Sequence, residues 1–491
     1  MRKVLLLIAV LLGAVTLSRA EVKLPAVLGD NMVLQRDSQV NLWGWAKPRK
    51  VVKIKTSWNR KRYRVRTDAD GKWLVKVVTT GAGGPYSITF SDGKKTRLEN
   101  ILLGEVWICS GQSNMEMPVQ GFLGQPCLHA TETMRQARLY PDIRLFTVAR
   151  DSTDTPRDDC KGEWLLSDPK SVGAFSAVGY YFGRCLNQYL GVPIGLITTN
   201  WGGTNIEAWM SPESNAKLGV DEEYTKKNWD EYYFPCSVLY NGMVVPIVNY
   251  TAKGFIWYQG ESNRGNYKEY ADMQAEMIRQ WRDAWGDENM PFYITQIAPY
   301  RYSGAEKRRS ALLVENQIKA TKMVPNCAMA STTDVGTYSL IHEPDKLSVG
   351  ERLAWLALSR DYGIEGVPAE APTYKSMEIK EGKAVISFNN LCEPNDQSDP
   401  RSFNWLDDQG QVVRSVKGFE IAGADKKFRP AKARILWMDN QVEVWSDEVK
   451  DPVAVRYVFC NYSETNLKTT LGQPVVPFRT DDWEIPVEEI D

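Results

Sequence analysis

Val106-Trp107-Ile108-Cys109 runs into Ser110-Gly111-Gln112-Ser113-Asn114-Met115, and the reading of this stretch decides the fold. A short apolar run bounded by small polar residues is the pattern of a strand buried on both faces, as in a parallel sheet. The same texture recurs downstream. Ile194-Gly195-Leu196-Ile197 leads to Asn200-Trp201-Gly202-Gly203-Thr204, and Gly254-Phe255-Ile256-Trp257-Tyr258 leads to Gln259-Gly260-Glu261-Ser262-Asn263. Phe292-Tyr293-Ile294-Thr295 is a fourth apolar run. Helical spacing fills the gaps at 178–189, 270–285 and 347–358. Alternating strands and helices predict an α/β domain over 102–365, with a mostly parallel sheet covered on both faces. Ligands of such sheets bind beyond the carboxyl ends of the strands, where all three polar segments fall.

Outside this domain the period changes. Residues 21–101 read as short alternating strands, among them Val40-Asn41-Leu42-Trp43, Val51-Val52-Lys53-Ile54 and Arg62-Tyr63-Arg64-Val65. Asp70-Gly71 is expected to turn a hairpin into the return strand at 73–78. Residues 366–491 again alternate, as in Ala384-Val385-Ile386-Ser387-Phe388 and Gln441-Val442-Glu443-Val444-Trp445. Both flanks are expected to be β-sandwich-like domains.

Composition narrows the function. Of 491 residues, 43% are hydrophobic and 25% charged, with a net charge of −1 and no basic stripe, which argues against a nucleic-acid partner. Arg2 and Lys3 precede an apolar run at 4–17, and Ser18-Arg19-Ala20 supplies small residues before a cleavage point. Residues 1–20 are therefore expected to be a signal peptide, too short for a lasting membrane anchor, and the protein to be exported to the periplasm or beyond. Eight cysteines without a Cys-x-x-Cys, and only two histidines, speak against a zinc site, and no metal or cofactor is expected. The 17 Trp and 22 Tyr are compatible with stacking on sugar rings. Asn249-Tyr250-Thr251 and Asn461-Tyr462-Ser463 are glycosylation sequons.

Three polar loops on one sheet edge make a shared pocket, and Ser113 is its candidate nucleophile. A serine hydroxyl needs a base beside it, and histidine titrates in the useful range. Only His129 and His342 are available. His342, in Leu340-Ile341-His342-Glu343-Pro344, lies at the far end of the domain, as distant segments converge in catalytic serine sites. The oxyanion needs donors, each contributing about 3 kcal/mol. The Ser113 and Gly203 N–H groups qualify, together with a side-chain amide from Gln259 or Asn263; Asn114 falls in the same pocket.

These segments resemble the sialate O-acetylesterase family, part of the SGNH hydrolase group. The likeness rests on Gly111-Gln112-Ser113-Asn114-Met115, on Trp201-Gly202-Gly203-Thr204 with Glu207-Ala208-Trp209, on Trp257-Tyr258-Gln259-Gly260-Glu261-Ser262-Asn263, and on Ile341-His342 with Lys346 and Arg352-Leu353-Ala354. It extends to Asn31-Met32-Val33-Leu34-Gln35-Arg36 at one end and Pro477-Phe478-Arg479-Thr480-Asp481 at the other. The resemblance implies a flavodoxin-like α/β/α core, an acetyl-serine intermediate, Ser113 as nucleophile and His342 as base. It implies an O-acetylated sugar as substrate, sialic acid or a polysaccharide fragment. The chain departs from the SGNH pattern three residues before the histidine, where Ser339 stands in place of Asp. Asp334, Glu261 or a backbone carbonyl is left as the third member. Acetyl xylan or a similar polysaccharide is the alternative substrate, and a carbohydrate-binding protein with a dead hydrolase domain is the alternative class.

Overall fold

The computed structural model describes residues 22–490 apart from 222, 225–233, 397–398 and 408. The expected signal peptide at 1–20 lies outside the described residues. Among the described residues no helix is long and apolar enough to cross a membrane.

The central sheet is built on seven strands: β1 (Lys95–Gly111), β2 (Ile143–Thr147), β3 (Trp164–Leu166), β4 (Ile194–Asn200), β5 (Gly254–Tyr258), β6 (Phe292–Thr295) and β7 (Cys327–Ala330). Their spatial order is β7-β6-β5-β1-β4-β2-β3, and every pair is parallel except β2 with β3. The strand first recognised in the sequence is thus the middle of the sheet.

Alternate residues of these strands feed two separate apolar layers. Val106 and Ile108 of β1, with Phe255 and Trp257 of β5, share a core with the helix α3 (Tyr270–Trp285), through Met273, Met277, Ile278 and Trp281. Trp107 and Cys109, with Ile256 and Tyr258, face the other way. They pack on α2 (Ala177–Leu190) and α5 (Lys346–Tyr362), through Phe182, Leu186, Leu353 and Ala357. A strand apolar on every residue therefore means helices on both sides, which is the arrangement found. The helix α4 (Arg309–Met323) lies beside α3.

The expected boundary at 101/102 does not interrupt the chain. β1 is 17 residues long and runs unbroken through it. Its first half pairs with Gly83–Ser91 of the N-terminal domain, Leu102–Gly104 pair with Val33–Gln35, and Glu105–Gly111 pair with β4. The N-terminal domain and the core thus share a strand and an apolar core. Asp68 Oδ1 accepts from the N–H groups of Asp70 and Lys72 and makes the expected turn. The hairpin itself is not formed. Arg62–Arg66 pair with Val51–Thr56, whereas Lys72–Val78 pair with Gln39–Trp45 in another sheet. The turn carries the chain from one sheet to the other because Trp73 and Val77 point into the layer between them.

The C-terminal domain is two four-stranded sheets around Ile386, Phe403, Ile421, Val442 and Tyr457. It is tied to the core helices. Arg479 grips Glu315 of α4 with two bonds of 2.8 and 2.9 Å, and Arg308 meets Glu420 at 2.7 Å. Cys109, Cys127, Cys160, Cys185, Cys327, Cys392 and Cys460 form no disulfide. The sequon at Asn461 is not usable in the folded chain, since its side chain is fully buried between the Ser310 N–H and the Gly304 carbonyl.

Gly104 marks the junction, and a Cβ there would lie 2.0 Å from the Pro193 carbonyl oxygen. Gly104→Ala should lower stability by about 1–3 kcal/mol. Because one strand serves both domains, calorimetry should show the N-terminal domain and core melting in a single transition.

Candidate active site

Three neighbouring strands end at one level: Asn200 of β4 and Tyr258 of β5 both pair with Gly111 of β1. The three polar loops consequently leave the sheet side by side. Gly111 has φ +142°, and a Cβ there would stand 2.1 Å from the Tyr258 carbonyl oxygen. Only glycine permits this close turn, and it swings Ser113 out of the sheet as the first residue of the single-turn helix α1 (Ser113–Glu116). The N–H of a first helical residue has no intrahelical partner, so that of Ser113 is left for another acceptor.

Side chains of the first motif lock the other loops in place. Gln112 Oε1 accepts from Gly260 N–H at 3.1 Å and from Ser262 N–H at 3.3 Å. Glu116 Oε2 accepts from Gly202 N–H at 2.8 Å, bringing Gly202 so close that an added Cβ would lie 3.1 Å from Ser113 Cβ. Gly203, at φ +76°, is exposed beside it with open space where a Cβ would be. Arg150 pairs with Glu116 and lies over the Trp201 ring at 5.1 Å.

The histidine segment is joined to the serine segment by Asn114. Its Nδ2 donates to the Ile341 carbonyl at 3.2 Å, so the residue after Ser113 holds the residue before His342. His342 Nδ1 lies 2.7 Å from Gln125 Oε1, and Phe122 packs edge-on against the imidazole at 5.2 Å. An amide oxygen can only accept, so Nδ1 carries the hydrogen and Nε2 is left with its lone pair. Burial, reinforced by the Lys346 charge, lowers the His342 pKa to about 4. His129 is exposed, in the left-handed conformation at the start of the helix Ala130–Gln136.

Several expected site residues take other roles. Asp334 does not meet the histidine: both its oxygens are held by Arg352, at 2.7 and 2.8 Å. Gln259 and Asn263 are fully buried and their amide hydrogens are committed. Gln259 Nε2 donates to the Thr204 carbonyl and to Asn263 Oδ1, while Asn263 Nδ2 donates to Glu207 Oε2 and Asn266 Oδ1. Both amides fasten the β4 and β5 loops together and have no hydrogen left for an oxyanion. Glu261 accepts from Asn114 Nδ2 at 2.6 Å, and burial raises its pKa to about 7. Asn114 is wholly buried beneath the site, with Lys346 Nζ on its Oδ1 at 2.6 Å. Gln125 was not singled out by the sequence, because an isolated glutamine in a Gly- and Pro-containing loop carries no pattern. Among the described residues, no group of three or more His, Cys, Asp or Glu could hold a metal ion.

The family model for the carbohydrate esterase, sialic acid-specific acetylesterase family matches residues 103–358, the segment that holds all of these loops. The chain belongs to this family. It is a carboxylic-ester hydrolase by that membership. The chain is 28% identical to the sialate O-acetylesterase of Mus musculus, over 91% of this chain and 92% of that one. It is 28% identical to the sialate O-acetylesterase of Homo sapiens, over 74% and 75%. A solved structure of a carbohydrate acetylesterase from Xanthomonas citri superposes with a TM-score of 0.82 at 36% identity, covering 94% of this chain and all of that one.

If Gln125 holds the imidazole, Gln125→Ala should lower kcat by about 10- to 100-fold with KM little changed, by analogy with lost support of a catalytic histidine. Gln125→Glu adds a carboxylate beside Nδ1 and should raise the imidazole pKa. The acid limb of kcat/KM, expected near pH 4 in the native protein, should then move upward.

Proposed function

We propose that the chain is an exported carbohydrate O-acetylesterase, in the first place a sialate O-acetylesterase, working through an acetyl-serine intermediate. The observation that carries the reading is the Asn114 bridge, which sets the Ser113 helix against the His342 loop. In this reading Ser113 Oγ attacks the acetyl carbonyl carbon while His342 Nε2 accepts its proton. Gln125 keeps the hydrogen on Nδ1 and replaces the carboxylate of a usual triad. The negative oxygen rests on the backbone N–H groups of Ser113 and Gly203. Collapse expels the sugar, whose alkoxide oxygen takes the proton back from His342. A water molecule, deprotonated by the same nitrogen, then attacks the acetyl-serine carbonyl; the bond to Ser113 Oγ breaks, Oγ takes the proton back from His342, and acetate is released.

The order β4-β1-β5-β6-β7, numbered by chain position, is 2-1-3-4-5, which supports a flavodoxin-like core of the SGNH type with β2 and β3 added at one edge. Export is proposed from the charged, apolar and small-residue pattern of positions 1–20.

One observation favours a neutral acetylated polysaccharide such as acetyl xylan as the alternative substrate. Sialic acid carries a carboxylate, which a guanidinium recognises well. Arg150, half-exposed beside the Gly202 loop, already has its charge matched by Glu116. Acetate release from O-acetyl sialic acid and from acetyl xylan, measured side by side, decides between the two. Ser113→Ala should abolish release from both without changing the melting temperature. Retention of activity in that variant would remove the serine mechanism, and an inactive native protein that still binds glycans would favour the binding class.

A further inference from the structure

Beneath the site lies a charged cluster that the mechanism does not use. Lys346 and Glu343 are both fully buried, and their side chains meet at 2.7 Å. Lys346 Nζ also donates to Asn114 Oδ1 at 2.6 Å, while Asn114 Nδ2 reaches Glu261 Oε1 and the Ile341 carbonyl. One carboxamide therefore ties its own helix after β1 to the two other segments that build this side of the site, the loop after β5 and the start of α5 with its preceding histidine loop. A buried ammonium is costly unless paired and hydrogen-bonded, so its retention here calls for a role that an apolar side chain could not fill.

We propose that Lys346 is a positioning residue for the esterase reaction, clamping Asn114 so that the helix bearing Ser113 and the loop bearing His342 keep one fixed spacing. The proposal rests on the Ser113–His342 reading above. Three features of the cluster support it. An asparagine amide has one acceptor and two hydrogens, and here the acceptor faces Lys346 while both hydrogens face Glu261 and Ile341. The side chain is thereby fixed in one rotamer and one amide orientation, which neither a leucine nor an aspartate would reproduce. Secondly, Lys346 is the first residue of α5, whose N-cap Asp345 accepts from Ser348 N–H, so the ammonium is anchored to a long packed helix rather than to a loop. Thirdly, the Lys346 charge, after burial, is what disfavours the imidazolium of His342.

Lys346 is the charge that acts on the imidazole, and the titratable groups around the Lys346–Glu343 pair come from each neighbouring segment: Asp345 from its own stretch, Glu261 and Tyr258 from the end of β5 and its loop, and Cys127 from the Gln125 loop. Burial raises Glu261, Glu343, Cys127 and Tyr258, which disfavours the charged forms of all four.

The test uses the full chain. Lys346→Met alone leaves Glu343 buried without its partner and is expected to destabilise the fold. The double variant Lys346→Met/Glu343→Leu removes both charges and should remain folded. Its kcat on p-nitrophenyl acetate should fall about 10²-fold, the scale of a small misplacement of reacting groups, with KM within about threefold. The acid limb of its kcat/KM profile should move to higher pH, because the cation that opposed the imidazolium is gone. A merely structural salt bridge would lower the melting temperature without moving that limb. A folded double variant with native kcat and an unmoved acid limb overturns the positioning role. Ser113→Ala, run in parallel, separates the two readings: if it stays active the serine mechanism itself fails, and if it is dead while the double variant is fully active only the Lys346 proposal fails.

Discussion

The Asn114 carboxamide is the constraint on which the geometry of the site depends. It is buried, every polar atom on its side chain is bonded, and its partners come from two distant parts of the chain, the loop after β5 and the stretch from Ile341 to Lys346. A hydrogen bond of this kind contributes about 1 kcal/mol net, but leaving a buried partner unsatisfied costs about 1–3 kcal/mol. The network is therefore held less by the strength of any one bond than by the cost of breaking one. That asymmetry is suited to holding the Ser113 helix and the His342 loop at one separation. The Gln112 clip to the Gly260 loop and the Glu116 clip to Gly202 extend the same principle to the other loops.

What brings those loops together is the sheet. β1 is central, so its C-terminal end has a neighbour on each side, and the chain leaves β1 toward β2 on one side but leaves β5 toward β6 on the other, the switch point at which ligands of such sheets bind. The in-line register of Asn200, Gly111 and Tyr258 starts all three motifs at one height. The length of β1 adds rigidity: the strand that leads into Ser113 is continuous with the sheet of the N-terminal domain and cannot tilt independently of it.

The histidine environment departs from the usual serine-hydrolase arrangement in its charge. An amide oxygen, not a carboxylate, faces Nδ1. It fixes the tautomer as a carboxylate would but gives no electrostatic support to an imidazolium at this position. A half-buried imidazole with a cation nearby is a weaker base than a free one, so the site trades basicity for a histidine that stays neutral over a wide pH range. The absence of Asp at Ser339 and the engagement of Asp334 by Arg352 are two sides of this arrangement.

The sequence by itself determined the layered α/β core, the three polar loops at the strand ends with Ser113 in the first of them, and the β character of both flanks. These follow from local periodicity, which is set by whether one face or two must be buried. It also confined the candidate base to two residues, because only two histidines exist. The tertiary structure decided what periodicity cannot carry. It separated His342 from His129, one half-buried over the site and the other exposed. It turned Gln259, Asn263 and Asp334 from prospective site groups into fastenings, since an amide or carboxylate looks the same in sequence whether its hydrogen-bonding capacity is spent or free. It brought forward Gln125 and gave the motif residue Lys346 its setting, through partners 217 and 232 positions away. Such pairings arise from how the sheet orders its strands in space, and no local pattern encodes them.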